Sequence, residues 1–311
     1  MIRKLVGTAA VAGAVALAGP ASATELWTPH LPGVDIGLAA GALPPPGVYG
    51  VLNNYWATYS AYNSKGNAIP NASLEALVEV PIVLWSTGYK VLGADYAVAI
   101  AQPFDYTSVG SGFGLPTGSG NWGTYNTVLI PGQLSWTFDE FHVLGGVSVY
   151  LPTATSTPAG FVTGKWLKGG LPSGNGYWAI QPDLGLSWLH DGWNLSASLH
   201  LPIPVDATTA TNYSYQSGVL FQADYTATKT IGKWTLGVGG YQVNQLNADT
   251  CSGSACAALG APKKGTTRFG LGPILGYQFG GINIQLTVAQ SVITRNDVGG
   301  TFANVRFIVP F

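Results

Sequence analysis

Trp193-Asn194-Leu195-Ser196-Ala197-Ser198-Leu199-His200-Leu201-Pro202-Ile203 sets Trp193, Leu195, Ala197, Leu199, Leu201 and Ile203 on one face and Asn194, Ser196, Ser198 and His200 on the other. Strict alternation is the period of a β-strand with one greasy and one wet side. Its length is that of a tilted strand crossing a bilayer, about ten residues.

The pattern recurs on both sides of this stretch. Trp178, Ile180, Leu184, Leu186 and Trp188 alternate with Gln181, Asp183, Gly185 and Ser187, and the aromatic ends of the apolar face suit an interfacial girdle. Ile282, Ile284, Leu286 and Val288 alternate with Asn283, Gln285 and Thr287. Leu74, Ala76, Val78, Val80 and Ile82 alternate with Ser73, Glu75 and Glu79, although Leu77 and Val83 blur the polar face. Strands are expected over 48–62, 72–85, 90–106, 121–136, 141–152, 177–189, 193–204, 217–229, 233–247, 266–279, 282–295 and 301–311. That makes about twelve, the even count of bacterial single-chain barrels.

The connections alternate in length. Ser86–Tyr89, Thr137–Glu140, His190–Gly192, Thr230–Gly232 and Gly280–Gly281 read as tight turns, whereas 107–120, 153–176, 205–216 and 248–265 are long and rich in Gly, Ser, Thr and Asn. Short periplasmic turns and long external loops are the outer-membrane arrangement, and a soluble sandwich has no reason to sort its loops this way.

Composition supports the same class. Only 9% of residues are charged, against roughly 25% in a soluble domain, too few to coat a water-facing surface. No apolar run after Leu17 reaches the length of a membrane helix. A closed barrel reconciles the two, because closure satisfies every backbone hydrogen bond inside hydrocarbon. The expected fold is all-β: a monomeric, antiparallel, up-and-down transmembrane barrel with a narrow lumen.

Residues 1–23 read as a signal peptide: Arg3 and Lys4, an apolar stretch from Leu5 to Leu17, and Ala21-Ser22-Ala23 before the cleavage point. An anchor helix is the bland alternative, but the run is short and broken by Gly7, Gly13 and Gly19. Residues 24–47, with Pro29, Pro32, Pro44, Pro45 and Pro46, form an irregular lead-in that either plugs the lumen or hangs as a periplasmic tail. The barrel proper is 48–311.

A net charge of −1 without a basic stripe leaves nucleic-acid binding without electrostatic support. Cys251 and Cys256 suggest a local disulfide in an exported chain, or two free thiols; they do not make a zinc site, having no histidine nearby. No metal or other cofactor is expected.

Gly41-Ala42-Leu43-Pro44-Pro45-Pro46-Gly47-Val48-Tyr49-Gly50 followed by Asn53-Asn54-Tyr55-Trp56, then Lys90-Val91-Leu92-Gly93-Ala94, Tyr150-Leu151-Pro152-Thr153 and the closing Val309-Pro310-Phe311, resembles the MetA-pathway of phenol degradation family over most of the mature chain. Where that family has Pro-Thr-Gly, this chain has Pro152-Thr153-Ala154. The resemblance implies an outer-membrane barrel tied to uptake of aromatic compounds, and it transfers no binding residue.

If the apolar faces meet lipid, Glu75, Glu79, Asp95, Asp183, Asp224, His142, His200, Arg268, Arg295 and Arg306 line the lumen. An Arg facing lipid at mid-depth costs about 2–4 kcal/mol. Acids from early strands and arginines from late ones set opposite charges across a pore, or else satisfy one another as salt bridges. Trp56 offers a stacking surface inside the lumen or simply fills space. Phe161, Trp166 and Leu167 form a loop constriction or pack on neighbouring loops. The terminal Phe311 resembles the signal read by the barrel-assembly machinery.

Catalysis has little support. Ser148 and His142 stand about 20 Å apart along one strand, Ser198 and His200 about 7 Å as same-face neighbours, and no Gly-x-Ser-x-Gly elbow occurs. Gly118-Ser119-Gly120-Asn121-Trp122-Gly123 matches a dinucleotide motif in letters only, with no helix to follow. The reading is a non-enzymatic channel in the outer membrane, in contact with its lipid, for passive uptake of small aromatic or hydrophobic solutes. A structural or adhesive barrel is the first alternative and an outer-membrane lipase or esterase the second.

Overall fold

The computed structural model describes residues 28–110, 122–155, 174–210, 213–254, 256 and 265–311. The expected signal peptide and the loop residues Phe161, Trp166 and Leu167 lie outside these. The strands are, in order, β1 (Gly47–Tyr62), β2 (Ala68–Val91), β3 (Ala94–Ala101), β4 (Phe104–Val109), β5 (Gly123–Thr124), β6 (Val128–Phe138), β7 (Phe141–Tyr150), β8 (Ala179–His190) and β9 (Trp193–His200). Then come β10 (Ile203–Pro204), β11 (Thr208–Ala210), β12 (Tyr213–Gln216), β13 (Leu220–Ile231), β14 (Trp234–Gln245), β15 (Thr250–Ser252), β16 (Thr267–Phe279), β17 (Ile282–Arg295) and β18 (Asp297–Pro310).

Twelve of these are the staves of one antiparallel wall, β1, β2, β3, β6, β7, β8, β9, β13, β14, β16, β17 and β18, with β4 continuing the path of β3 beyond Gln102-Pro103. The wall closes because β1 pairs on one side with β2 and on the other with β18, from Tyr49↔Pro310 to Tyr62↔Asp297. Closure leaves no unpaired edge, the condition for a sheet in hydrocarbon.

One end of the barrel is built from two-residue hairpins. Asp191-Gly192 joins His190 to its partner Trp193 with φ values of 45° and 75°, the left-handed pair that suits strand twist and favours an Asp-Gly sequence. Gly280-Gly281 joins Phe279 to Ile282, with Gly280 at a φ of 58°. The first turn differs from the expected Ser86–Tyr89. Strand β2 runs on through that stretch with a register shift between Ser86 and Lys90, and the chain reverses at Leu92-Gly93, both at positive φ. Beyond the opposite end, β11, β12 and β15 make a small separate sheet, and a Cys251–Cys256 disulfide closes the β15 segment.

The outer face carries exposed apolar side chains around the circumference: Val83, Ile100, Leu129, Val147, Leu184, Leu195, Val238, Leu271 and Leu286. A soluble monomer exposes contiguous apolar patches of only a few hundred Å², so this belt belongs against acyl chains. Trp85, Phe141, Trp193, Trp234 and Phe279 ring the hairpin end, all exposed.

In β1 and β2 the faces are the reverse of the expectation. Tyr55, Ala57 and Tyr59, with Leu74, Ala76, Val78 and Val80, are buried inside the barrel, and Glu75 is exposed. Trp56 stands 60% exposed on the outer side, level with Leu77 and Tyr106 across the neighbouring strands. The cause is that the lumen here is filled with apolar matter: these side chains share one packed core with Ile36 of the N-terminal segment, with Phe302 of the adjoining β18 and with Tyr241 of β14. Eight residues of β1 separate Trp56 from Val48, the partner of Trp85. That spacing spans roughly 20 Å at the usual stave tilt, so Trp56 belongs to the second aromatic girdle rather than to a pore.

Candidate functional site

The described part of the N-terminal segment, residues 28–46, lies within the barrel, and its backbone is held by side chains of the inner wall. Asp224 of β13 accepts the amides of Gly33 (2.9 Å) and Asp35 (2.8 Å). Arg306 of β18 donates to the carbonyls of Val34 and of Ile36 (3.1 Å), and steadies its own guanidinium on Asn53 (2.9 Å) and Gln285 (2.7 Å). Thr226 accepts the Gly37 amide, Ser187 accepts the Gly41 amide, and Ser135 donates to the Gly41 carbonyl, each at 2.7 Å. A buried irregular segment must have its polar backbone satisfied, and here the wall does it. Gly185 lets the segment approach: a Cβ there would meet the carbonyl of Ala40.

A polar cluster sits where the segment meets β8 and β9. The His30 ring stacks on the His200 ring with centroids 3.9 Å apart. His200 Nδ1 lies 2.7 Å from Asp183 Oδ1 and its Nε2 lies 3.1 Å from Asp35 Oδ2. Ser148 donates to the second oxygen of Asp183 at 2.6 Å. His30 Nε2 is 3.7 Å from Asp35 Oδ2, too long for a hydrogen bond, and has no other partner among the described residues. Burial, and then the facing His200, push the His30 imidazole down to about 4, so it is neutral near pH 7. Burial works against the Asp35 carboxylate, but its hydrogen bond with His200 prevails and holds it below the usual carboxylate range.

Ser198 Oγ lies 2.9 Å from His200 Nε2, so Ser198, His200 and Asp183 stand in the order of a serine-hydrolase triad. The spacing of about 7 Å expected for same-face neighbours describes backbones, and the side chains lean together across it. What departs from a triad is Asp35. With a carboxylate at each ring nitrogen, both nitrogens donate, and an imidazole donating at Nε2 has no lone pair there to take the serine proton.

Beside the cluster is a cavity of about 600 Å³. His30, Asp35, Asp183, Ser198 and His200 line one side of it, and Val78, Val80, Ile82, Ala101, Val128 and Ile130 form an apolar side from β2, β3 and β6.

Of the residues expected in the lumen, Asp183, Asp224, His200, Arg268 and Arg306 are inside. Arg268 does not face open space: it donates to Val298 (3.0 Å), lies 3.5 Å from Asp297, and sits between the rings of Tyr59 and Tyr241. Asp95 is at the hairpin rim, paired with Lys90 at 2.8 Å. His142, also near that rim, contacts Thr137 at 3.1 Å. Arg295 is exposed at the far end of β17, and Glu75, Glu79 and Trp56 are on the outer face. The expected opposition of acids and arginines across a pore is therefore replaced by Asp224 and Arg306 gripping one peptide segment. His30 and Asp35 were not singled out from the sequence, because an irregular segment offers no periodicity to give them a face.

A family model described as Putative MetA-pathway of phenol degradation matches residues 58–307. The chain belongs to this family. The matched stretch runs from within β1 to within β18, and the segment in the lumen precedes it. Comparison with curated proteins gives no match. Among solved structures, an outer membrane channel from Pseudomonas putida F1 superposes with a TM-score of 0.71 at 14% identity, over 88% of this chain and 98% of that one. The translocator domain of the autotransporter NalP from Neisseria meningitidis gives 0.49 at 11% identity, over 87% and 91%. At such identity the likeness is one of fold, and the fold is that of an outer-membrane β-barrel.

Proposed function

We propose that the chain is an outer-membrane channel through which small aromatic or otherwise hydrophobic solutes pass down their gradient. The observation that carries this is the cavity with one apolar wall. A pore for ions or sugars presents polar side chains all round, whereas here Val78, Val80, Ile82, Ala101, Val128 and Ile130 line the space inside the barrel. Its volume of about 600 Å³ is that of a small-molecule site. The family's description in terms of phenol degradation and the channel among its structural neighbours support the same reading. In this account residues 1–23 direct export, β18 with the Phe311 that follows it is read by the assembly machinery, and the mature chain resides in the bacterial outer membrane.

Uptake of labelled phenol or toluene by cells lacking the protein, with and without the restored gene, tests the proposal together with conductance in planar bilayers. An uptake defect that the gene repairs is expected. No defect and no current would instead support a structural or adhesive barrel. The Ser198-His200-Asp183 geometry favours one other reading, an esterase; ester hydrolysis by the purified chain that disappears on Ser198→Ala would establish it, and none is expected.

A further inference from the structure

We propose that His30, Asp35 and His200 form a binding site for a divalent transition-metal ion of the zinc class, which ties the lumenal segment to the barrel wall. Three donor atoms of the kinds zinc prefers, two imidazole nitrogens and a carboxylate oxygen, lie within 4.8 Å of one another. Both Nε2 atoms face the same oxygen, Asp35 Oδ2, at 3.7 and 3.1 Å. In a tetrahedral site with metal–ligand bonds of about 2.0–2.1 Å, donors stand about 3.3 Å apart, so donors that now lie within 4.8 Å of one another draw together and the two stacked imidazole rings turn to aim at the ion. The fourth position falls to a water from the cavity that these three residues line.

The second, independent observation is His30 itself. Its side chain is 10% exposed and its Nε2 has no hydrogen-bond partner among the described residues. A buried nitrogen left without a partner is costly, and an ion at this place would satisfy it. His200 has the outer-shell partner expected of a ligand, since Asp183 receives its Nδ1 at 2.7 Å and is held in turn by Ser148.

Charge points the same way. Asp35, Asp183 and Asp224 with Arg306 and the His200 imidazolium leave a net −1 around the cluster; once the His200 proton has left, the net is −2 and a dication cancels it. Binding is an exchange: the proton shared between His200 Nε2 and Asp35 leaves for solvent, and the ion takes its place. One ligand pair belongs to the segment and one ligand to β9, so the ion fastens the one to the other.

The test is calorimetric titration of the purified full chain, without a polyhistidine tag, with Zn²⁺. The background carries His142→Ala and His190→Ala, which removes the two histidines near the hairpin end. One ion per chain with release of a proton is expected, as is a tetrahedral visible spectrum with Co²⁺. His30→Ala should weaken binding at least about 100-fold, and Asp183→Asn, acting through His200, about 10–100-fold. Should His30→Ala not assemble, Cu²⁺ bound to the unaltered chain should show two imidazole nitrogens in its electron paramagnetic resonance spectrum. Absence of one-to-one binding, an affinity that His30→Ala leaves unchanged, or a copper spectrum without two imidazoles would overturn the proposal. These readouts do not involve transport, so the site can fail while the channel stands.

Discussion

Arg306 and Asp224, on β18 and β13, hold opposite poles of the same four residues of chain: the guanidinium takes the carbonyls of Val34 and Ile36, and the carboxylate takes the amides of Gly33 and Asp35. Each charge is buried, at 1% and 3% exposure, and each is used on backbone rather than on a solute. The pair therefore acts as a two-sided clamp on a segment with no regular structure of its own.

Arg306→Ala should release that clamp. The buried carbonyls of Val34 and Ile36 lose their donor, at about 1–3 kcal/mol for each buried group left unsatisfied, enough to undock residues 28–46. Single-channel conductance should rise at least twofold, and added protease should begin to cleave the segment. Unchanged conductance together with full protection would show that the segment is held by packing alone.

Gly185→Val probes the same docking without altering any charge. The new side chain would occupy the place of the Ala40 carbonyl, and backbone cannot yield as a flexible side chain does. The wall position itself tolerates valine, so the barrel should still migrate as a folded species on unheated gels while its conductance increases.

The reversed faces of β2 are tested by paired cysteines. With Cys251 and Cys256 already joined, a single new thiol can be labelled. Leu77→Cys should react in vesicles with a maleimide tethered to a phospholipid, which stays outside the lumen, and Val78→Cys should not. The opposite pattern would restore the inward Glu75 and Glu79.

Val238→Arg places a charge in the outer apolar belt, where Val238 is 58% exposed. A cost of about 2–4 kcal/mol at mid-depth should appear as a lower folding free energy in vesicles, and the same change at an exposed hairpin residue such as Lys233 should have none of that effect.

Much of the barrel was legible because its signals are local. Strand β17 begins and ends where alternation places it, at Ile282 and Arg295, and the Gly280-Gly281 turn is where two glycines permit it. β2 misled because both its faces are apolar: Leu74 to Val80 meet the packed lumen, and Leu77, Val83 and Trp85 meet the outside, so periodicity alone gave a direction only through two glutamates that lie near or beyond the girdle. Asp224 and Arg306 were readable as inward charges, but their partners are backbone atoms, which no side-chain pattern encodes. Ser198 and His200 were judged by Cα spacing, which says nothing about how their side chains lean together.

The central claim is that apolar solutes use the apolar side of the cavity, and Val80→Asp tests it at the wall itself. The measurement is the initial rate of labelled toluene uptake by cells lacking the native gene and carrying either the unaltered chain or the variant at equal outer-membrane levels. The account predicts that the unaltered chain restores uptake and that Val80→Asp loses most of it. Equal rates with the two chains would contradict it.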